Sequence, residues 1–436
     1  MKKLYYGLKL LICFISFSVQ AAVPIQEWET PKNIHVIYVP DPTTHLVTVS
    51  FSFKGVGASV DPKGQEGLGA LMLQLMFERT DEGSDRYALE KQLKQLGALE
   101  GIYQQITHDN IHFSFKCPQE KIKEVFQIIK TIFITPSFDA KELAKMKNFD
   151  PADARLSSSS EQAFAKKVLL QKIFSLHAYG TPASGTLDGR QSITIEDIKR
   201  SFAARFSRDR LVFATVGNLS PAQLSNCIDD TFGGLPPKNS LSIDTKVPLN
   251  LDGQTTIIPK DTPQSGVVFA QQGLSVTDKD YLAFLIINDI LGGKPFTSRL
   301  WLDARETKGL VYSIQTDLMA RHFATLWLGA FESDNTKVKE VISIIRQEWN
   351  NIKETGISEA EFRASKAGLS GGFVLNFTTP EGIAHMLMHC YLGGLPADYV
   401  NQRNKLLEVV TLADVNRVAK TLLTPEKLTF VVVGNP

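Results

Sequence analysis

The chain has 436 residues, 43% apolar and 21% charged, ordinary values for a packed protein of about two to four domains. These figures exclude a disordered chain, a collagen-like repeat and a disulfide-stapled miniprotein. Lys plus Arg is 47 against 46 Asp plus Glu, a net charge of +1, so no global basic bias points to nucleic acid.

Residues 1–21 read as a secretory signal. Lys2, Lys3 and Lys9 precede a mostly apolar run, Leu10 to Val19, that is too short to cross a bilayer. Val19-Gln20-Ala21 then places small residues at positions −3 and −1 of a cleavage site. Its removal takes three Lys and leaves 44 cationic against 46 anionic residues, a net −2. No later run suits a membrane span, so the expected product is soluble, without an anchor, and periplasmic or secreted in a bacterium. Cys117, Cys227 and Cys390 remain after the signal. They allow at most one disulfide and lack the spacing of a thiolate zinc site; three small buried side chains are expected.

Strands are expected at 34–39 and 46–53, followed by helices at 66–79, 86–96, 119–133, 140–147 and 161–174. A block at 192–218 recurs at 409–435 with an offset of 217 residues. Thr194, Asp197, Leu211, Phe213, Gly217 and Asn218 meet Thr411, Asp414, Leu428, Phe430, Gly434 and Asn435. Each copy opens on Thr with Asp three residues later, a capping-box pattern, and ends in a strand and a Gly-Asn turn. A period this long signifies tandem domains, not a solenoid. The second half adds a strand near 266–272 and helices near 278–291, 298–306, 335–353, 358–369 and 379–391. The organisation expected is 22–235, a Pro-rich linker at 236–254, and 255–436. The fold class is α+β: two tandem homologous domains, each a mixed antiparallel sheet with helices packed on one side.

The opening strands, the Gly67-to-Thr80 segment, His177-Ala-Tyr-Gly180, Val216-Gly217-Asn218, Leu291-Gly292-Gly293, Ser298-Arg299-Leu300 and the run from Arg305 to Tyr312 occur in an order that resembles the insulinase/pitrilysin-type metallopeptidases. The likeness is to the branch that includes the processing peptidases. The resemblance implies an α/β roll in each half and, in active members, zinc held by H-x-x-E-H on the first long helix. That motif needs two imidazoles at i and i+4 and a Glu beside them to take a proton from metal-bound water. Here the aligned positions are Ala70, Leu73 and Gln74. Ala and Leu offer no lone pair, and Gln is a poor zinc ligand. Asp150, 76 residues after Gln74, is the acidic candidate by spacing. No catalytic residue and no cofactor are therefore expected in this chain.

The resemblance also implies that Arg305 and Tyr312 bind the peptide backbone of a substrate, through guanidinium and phenol donors. A chain with the holding residues and without the cutting ones is expected to be the non-catalytic subunit of a heterodimer. Its partner would be a homologous subunit that carries H-x-x-E-H and the zinc, and its substrates unfolded peptides. A homodimer of the isolated chain is left open. Two rivals are a scaffold akin to respiratory-complex core subunits and a self-sufficient peptidase with unusual ligands. For the latter, His385 and His389 at i and i+4 are weak metal candidates without an intervening carboxylate. His108 and His112 lie in a strand-like run that spaces them by about 13 Å. His177 reads as a turn residue. Ser157 to Ser160 lack a nucleophile elbow, and Gly368 to Gly372 lack the Lys of a phosphate loop.

Overall fold

The strand-forming runs pair into two sheets, one in each half of the chain. The computed structural model describes residues 22–80, 83–134, 136–147, 161–239 and 241–436; the expected leader, Asp150 and Ser157 to Ser160 lie outside them. The first sheet contains β1 (Gln26–Glu29), β2 (His35–Pro40), β3 (Leu46–Lys54), β4 (Tyr103–Ile106), β5 (Asn110–Pro118) and β6 (Leu211–Gly217), ordered β1-β2-β6-β3-β5-β4. The second contains β7 (Thr255–Ile258), β8 (Gln264–Gln272), β9 (Val311–Arg321), β10 (Ala324–Asp334) and β11 (Thr429–Val433), ordered β7-β11-β8-β10-β9.

The duplicated block occupies the same place in both sheets. β6 runs parallel to β2 and antiparallel to β3, and β11 runs parallel to β7 and antiparallel to β8. The helices before these strands, Ile195–Arg205 and Leu412–Leu422, both start on reciprocal Thr–Asp capping boxes. The repeated glycine ends each strand where another chain segment passes closely. A Cβ at Gly434 would lie 2.1 Å from Ser265 Oγ, and one at Gly217 3.1 Å from Leu46 O, so larger residues would force the turns apart. Such equivalence makes β4 and β9 counterparts, and both are outer strands.

One face of each sheet is covered by helices of its own half. On the first, Phe51 stacks on Phe113 and Phe213 with centroids 4.8 and 5.1 Å apart, and Phe133 and Phe232 close the layer. On the second, Phe269, Trp327, Trp349 and Phe430 play that part. The opposite faces are covered by exchange. Helix Pro380–Leu392 of the second half lies on β6 and β3, burying Ala384, Leu387, Met388 and Cys390 against Ile37, Val39, Val212, Ala214 and Val216. Helix Glu161–Ile173 of the first half lies on β8 and β11, burying Ala165, Leu169 and Ile173 against Val268, Ala270, Leu326, Val431 and Val433. At about 1.5–3 kcal/mol for each large apolar side chain removed from water, the two helices hold the halves together by on the order of 10 kcal/mol.

The structure adds elements that the sequence pattern does not announce. The β9–β10 hairpin is one. Its register shifts between Phe331 and Ser333, and opposite that bulge Tyr312 and Ser313 are both exposed. Two consecutive outward residues break the period of two on which strand recognition rests. Helices Pro221–Phe232 and Tyr399–Val409 are also new. The helix expected to end at 291 ends as Tyr281–Asn288 and passes into a π-helical turn, Asp289–Gly293. Cys117, Cys227 and Cys390 are buried and unpaired. Burial pushes the Cys117 thiol up to about 12 and that of Cys390 to about 11. No helix among the described residues is long and apolar enough to cross a membrane.

The exchange predicts one unfolding unit. Calorimetry of the intact chain should show a single transition, and residues 22–235 or 255–436 produced alone should bind a hydrophobic dye and aggregate, with co-production restoring a soluble pair. Two separate transitions, or two well-behaved halves, would contradict this.

Candidate functional site

The helix aligned with the zinc motif is Leu68–Met76. Eight of its nine residues are buried, and Gln74 alone is exposed. Ala70 and Leu73 are buried at 6% and 4% exposure, and neither side chain has an atom that could bind zinc. Gln74, one turn after Ala70 on the same side of the helix, is exposed. Among the described residues no group of three or more His, Cys, Asp or Glu is arranged to hold a metal ion. The residues at these positions do not fit zinc, and no chemical step is derived through it.

The mount of this helix is built with care nevertheless. The Asp61 carboxylate accepts from the amides of Gly67 and Gly69, each at 2.9 Å, and so satisfies two of the unpaired donors at the helix start. Arg205 donates to Asp61, to the carbonyls of Val56 and Gly57, and to Ser201 Oγ at 2.7 Å. Asp61 and Arg205 side chains are 3% and 2% exposed. Burial raises the Asp61 carboxyl and lowers the Arg205 guanidinium from their ordinary values. Their direct contact and the two amides favour the charged forms, so the pair stands ionised at neutral pH.

Arg305 and Tyr312 are brought into direct contact. Arg305 lies on a π-helical turn, Trp301–Thr307, a local widening of the helix that is frequent at functional sites. Its guanidinium stacks between the rings of Trp301, at 4.5 Å, and Tyr312, at 4.6 Å, and it donates to the carbonyl of Tyr312. Tyr312 sits in the bulged start of β9 with 82% of its surface exposed. Trp301 Nε1 donates to Glu306 Oε1 at 3.1 Å. The segment is clamped from below. Arg299 donates to both carboxylate oxygens of Glu361, at 2.7 and 2.9 Å. Glu361 also closes the capping box with Ser358 that starts helix Glu359–Val374. Burial alone would raise the Glu361 carboxyl; Arg299 and Ser358 overcome this and bring it down to about 2. The expected Gly-rich segment 368–372 lies inside this helix.

A separate cavity of about 690 Å³ opens between the halves. His108 and His112 reach it from the β4–β5 hairpin, His322 and Arg321 from the β9–β10 turn, and His385 and His389 from the exchanged helix. The 385/389 rings lie 6.4 Å apart and nearly parallel. Burial lowers His108 to about 4 and, with help from His385, His112 to about 4 as well, so both are neutral imidazoles at physiological pH. Asp109 links the halves by accepting from Tyr179 Oη and from the His322 amide, the latter at 3.1 Å. Ala70, Leu73, Gln74, Arg305 and Tyr312 do not line this cavity. His177 caps a short turn, its Nδ1 accepting from the Tyr179 amide at 3.1 Å. Sequence reasoning treated the histidine pairs separately because their convergence depends on the exchanged helix, which no local pattern encodes.

Two measurements test this geometry. Asp61→Ala, which strands a buried guanidinium, should cost about 3–5 kcal/mol in urea unfolding; a cost under about 1 kcal/mol would mean that the pair is not needed. Glu361→Gln should cost about 1 kcal/mol at pH 7, a figure already reduced by solvent screening of a partly exposed pair. Because the folded carboxyl titrates below its ordinary value, that contribution is whole above about pH 4.5 and lost as pH falls toward 2. The gap between wild type and variant should therefore shrink on acidification; a gap that holds or widens refutes the clamp.

Comparison with known proteins agrees with this architecture. Residues 35–187 match the family described as Insulinase (Peptidase family M16), and residues 192–369 match the Peptidase M16 inactive domain. The chain is 25% identical over 430 residues to the "Non-peptidase homolog YmxG" of Helicobacter pylori, across 98% of this chain and 97% of that protein. It is 20% identical over 352 residues to the "Uncharacterized zinc protease YmxG" of Bacillus subtilis, across 81% and 84% of the two chains. In fold it matches the solved peptidase M16 inactive domain from Pseudomonas fluorescens with a TM-score of 0.86, at 21% identity, over 94% of this chain and 98% of that one. With a domain of this kind matched in each half, and in the order that its motifs follow, the chain belongs to the M16 insulinase family.

Proposed function

We propose that this chain is the non-catalytic, substrate-binding subunit of a heterodimeric zinc metallopeptidase that degrades or processes unfolded peptides in a bacterial periplasm. The observation that carries the reading is a contrast within one molecule. The helix aligned with the metal motif carries Ala70 and Leu73, buried and without a ligand atom, whereas the half-exposed Arg305 stacks on the exposed Tyr312 at the outer strand of the other half. A near full-length relative named a non-peptidase homologue supports it. The periplasmic part rests on the signal-like residues 1–21.

In this reading a homologous partner with H-x-x-E-H supplies zinc and the water-activating Glu. This chain supplies orientation. The guanidinium of Arg305, fixed by two aromatic faces and the Tyr312 carbonyl, holds a substrate carbonyl with little loss of side-chain freedom on binding. The Tyr312 hydroxyl is a second donor in reach of solvent. Backbone contacts of this sort bind extended chains without demanding a sequence.

The test is reconstitution. Peptide cleavage by the H-x-x-E-H partner should rise when this chain is added, and Arg305→Ala should lower kcat/KM of the mixture about tenfold or more, the worth of a charged hydrogen bond. This chain alone with added zinc should cleave nothing. A partner equally active alone, and indifferent to Arg305→Ala, would refute the proposal.

A further inference from the structure

Beside the Arg305–Tyr312 stack, the chain holds an aromatic ring in an unfavourable place. Lys294-Pro295-Phe296-Thr297 turns the π-helical turn Asp289–Gly293 toward the segment of Arg299 and Arg305, closed by Ser298 N–H donating to Lys294 C=O at 3.2 Å. Phe296 takes φ +70° at the centre of this turn. That is the left-handed region, which turns of this sort give to Gly or Asn and which an aromatic L residue enters at a cost. The only other non-Gly residue with positive φ among those described is Asn33, a residue suited to it.

Nothing in the core accounts for the ring. Phe296 is 68% exposed and belongs to none of the buried apolar clusters. Its aromatic contact is edge-on to Trp301, with centroids 4.8 Å apart. Trp301 in turn carries Arg305, and Arg305 stacks on Tyr312. The four side chains thus form one row, apolar at Phe296 and hydrogen-bonding at the Arg305–Tyr312 end. Tyr312 is the second residue of β9, the outer strand of its sheet, whose backbone groups on one side have no partner strand among the described residues.

We propose that Phe296 is a specificity-determining residue of the Arg305–Tyr312 site, its exposed ring, braced edge-on by the buried Trp301, forming an open subsite for a large apolar or aromatic side chain of the bound peptide. The occupant is an extended peptide because the row combines a carbonyl-binding guanidinium, an unpaired strand edge and an apolar surface at side-chain distance. Aromatic side chains meet Phe296 edge-to-face or offset-stacked, as Phe296 itself meets Trp301. The strained turn lifts the ring out of the protein and keeps it available. The proposal rests on the substrate-binding reading of Arg305 and Tyr312 and adds to it a preference that backbone contacts alone would not produce.

The experiment uses the full mature chain and two fluorescent, unstructured peptides that differ only in carrying phenylalanine or glycine at one position, with anisotropy read alone and with the H-x-x-E-H partner. Wild type should bind the phenylalanine peptide about tenfold more tightly, equivalent to ~1.4 kcal/mol. Phe296→Asn, which suits the left-handed turn, should bring the two peptides within about twofold of each other and melt no lower than wild type. Arg305→Ala should weaken both peptides alike and keep their ratio. A tenfold preference that survives Phe296→Asn overturns the subsite and leaves the substrate-binding reading standing. A Phe296→Asn protein that melts several degrees lower also overturns it, since the ring would then be packing for Trp301. Wild type that binds neither peptide, with or without partner, overturns the substrate-binding reading and the subsite together.

Discussion

Each sheet in this chain has one face that its own half leaves bare, and the fold depends on how those faces are covered. Helix Glu161–Ile173 crosses to the second sheet and helix Pro380–Leu392 crosses to the first. The trade buries Leu169, Ile173, Leu387 and Met388 almost completely, and its worth on the order of 10 kcal/mol is comparable to the whole stability of a typical domain. Polar contacts along the seam, such as Lys116 with Glu381 at 2.7 Å, are partly exposed and add little. The halves are therefore homologous in pattern without being independent in energy. A hinge at the linker would have to strip both helices from their sheets, so the two halves do not open as independent domains.

Rigidity of this kind extends to the Arg305–Tyr312 stack. Arg305 gains its orientation from a chain of fixed contacts: Glu361 caps a helix and grips Arg299, the π-helical turn places Trp301 and Arg305, and the bulge in β9 aims Tyr312 outward. The Glu361 carboxyl in this chain is held down to about 2, so it keeps its charge and its grip on Arg299 at neutral pH. Two of the histidines in the cavity at the seam are neutral at physiological pH, because burial lowers His108 and His112 to about 4. Arg321 still bears the mark of that enclosure, its guanidinium pulled down to about 10 by burial.

Local pattern made much of this legible. Both capping boxes, the strands that follow them and the helix at 140–147 are where period and cap residues place them, because each is decided by neighbours within a few positions. The tandem arrangement was visible as a repeat, and Gly217 and Gly434 show why that repeat includes a glycine. What escaped was set by partners far along the chain. The helix swap pairs residues about 90 positions apart or more, the bulge at Tyr312 hid β9 by spoiling its alternation, and the histidine cavity exists only after the swap. Phe296 escaped for another reason: a strained φ is a property of the backbone, and Pro295 before it gives only a turn.

The Leu68–Met76 helix owes its place to contacts at its start. Its position is set from outside, by the Asp61 carboxylate on the amides of Gly67 and Gly69 and by Arg205 beneath, neither of which would touch a metal. A helix anchored at its start needs only to fill its site. Leu71, Met72, Leu75 and Met76 are each fully buried, and Leu73 adds to them; every apolar group removed from water there stabilises the half, whereas imidazole and carboxylate in the same place would need a metal or hydrogen-bond partners to offset their desolvation. Ala70 and Leu73 are thus the residues that packing favours once no ion is required, while Gln74, on the exposed side, is left free. The same economy does not extend to Tyr312, which is exposed, or to Phe296, which is exposed and strained at a cost that packing within this chain does not explain.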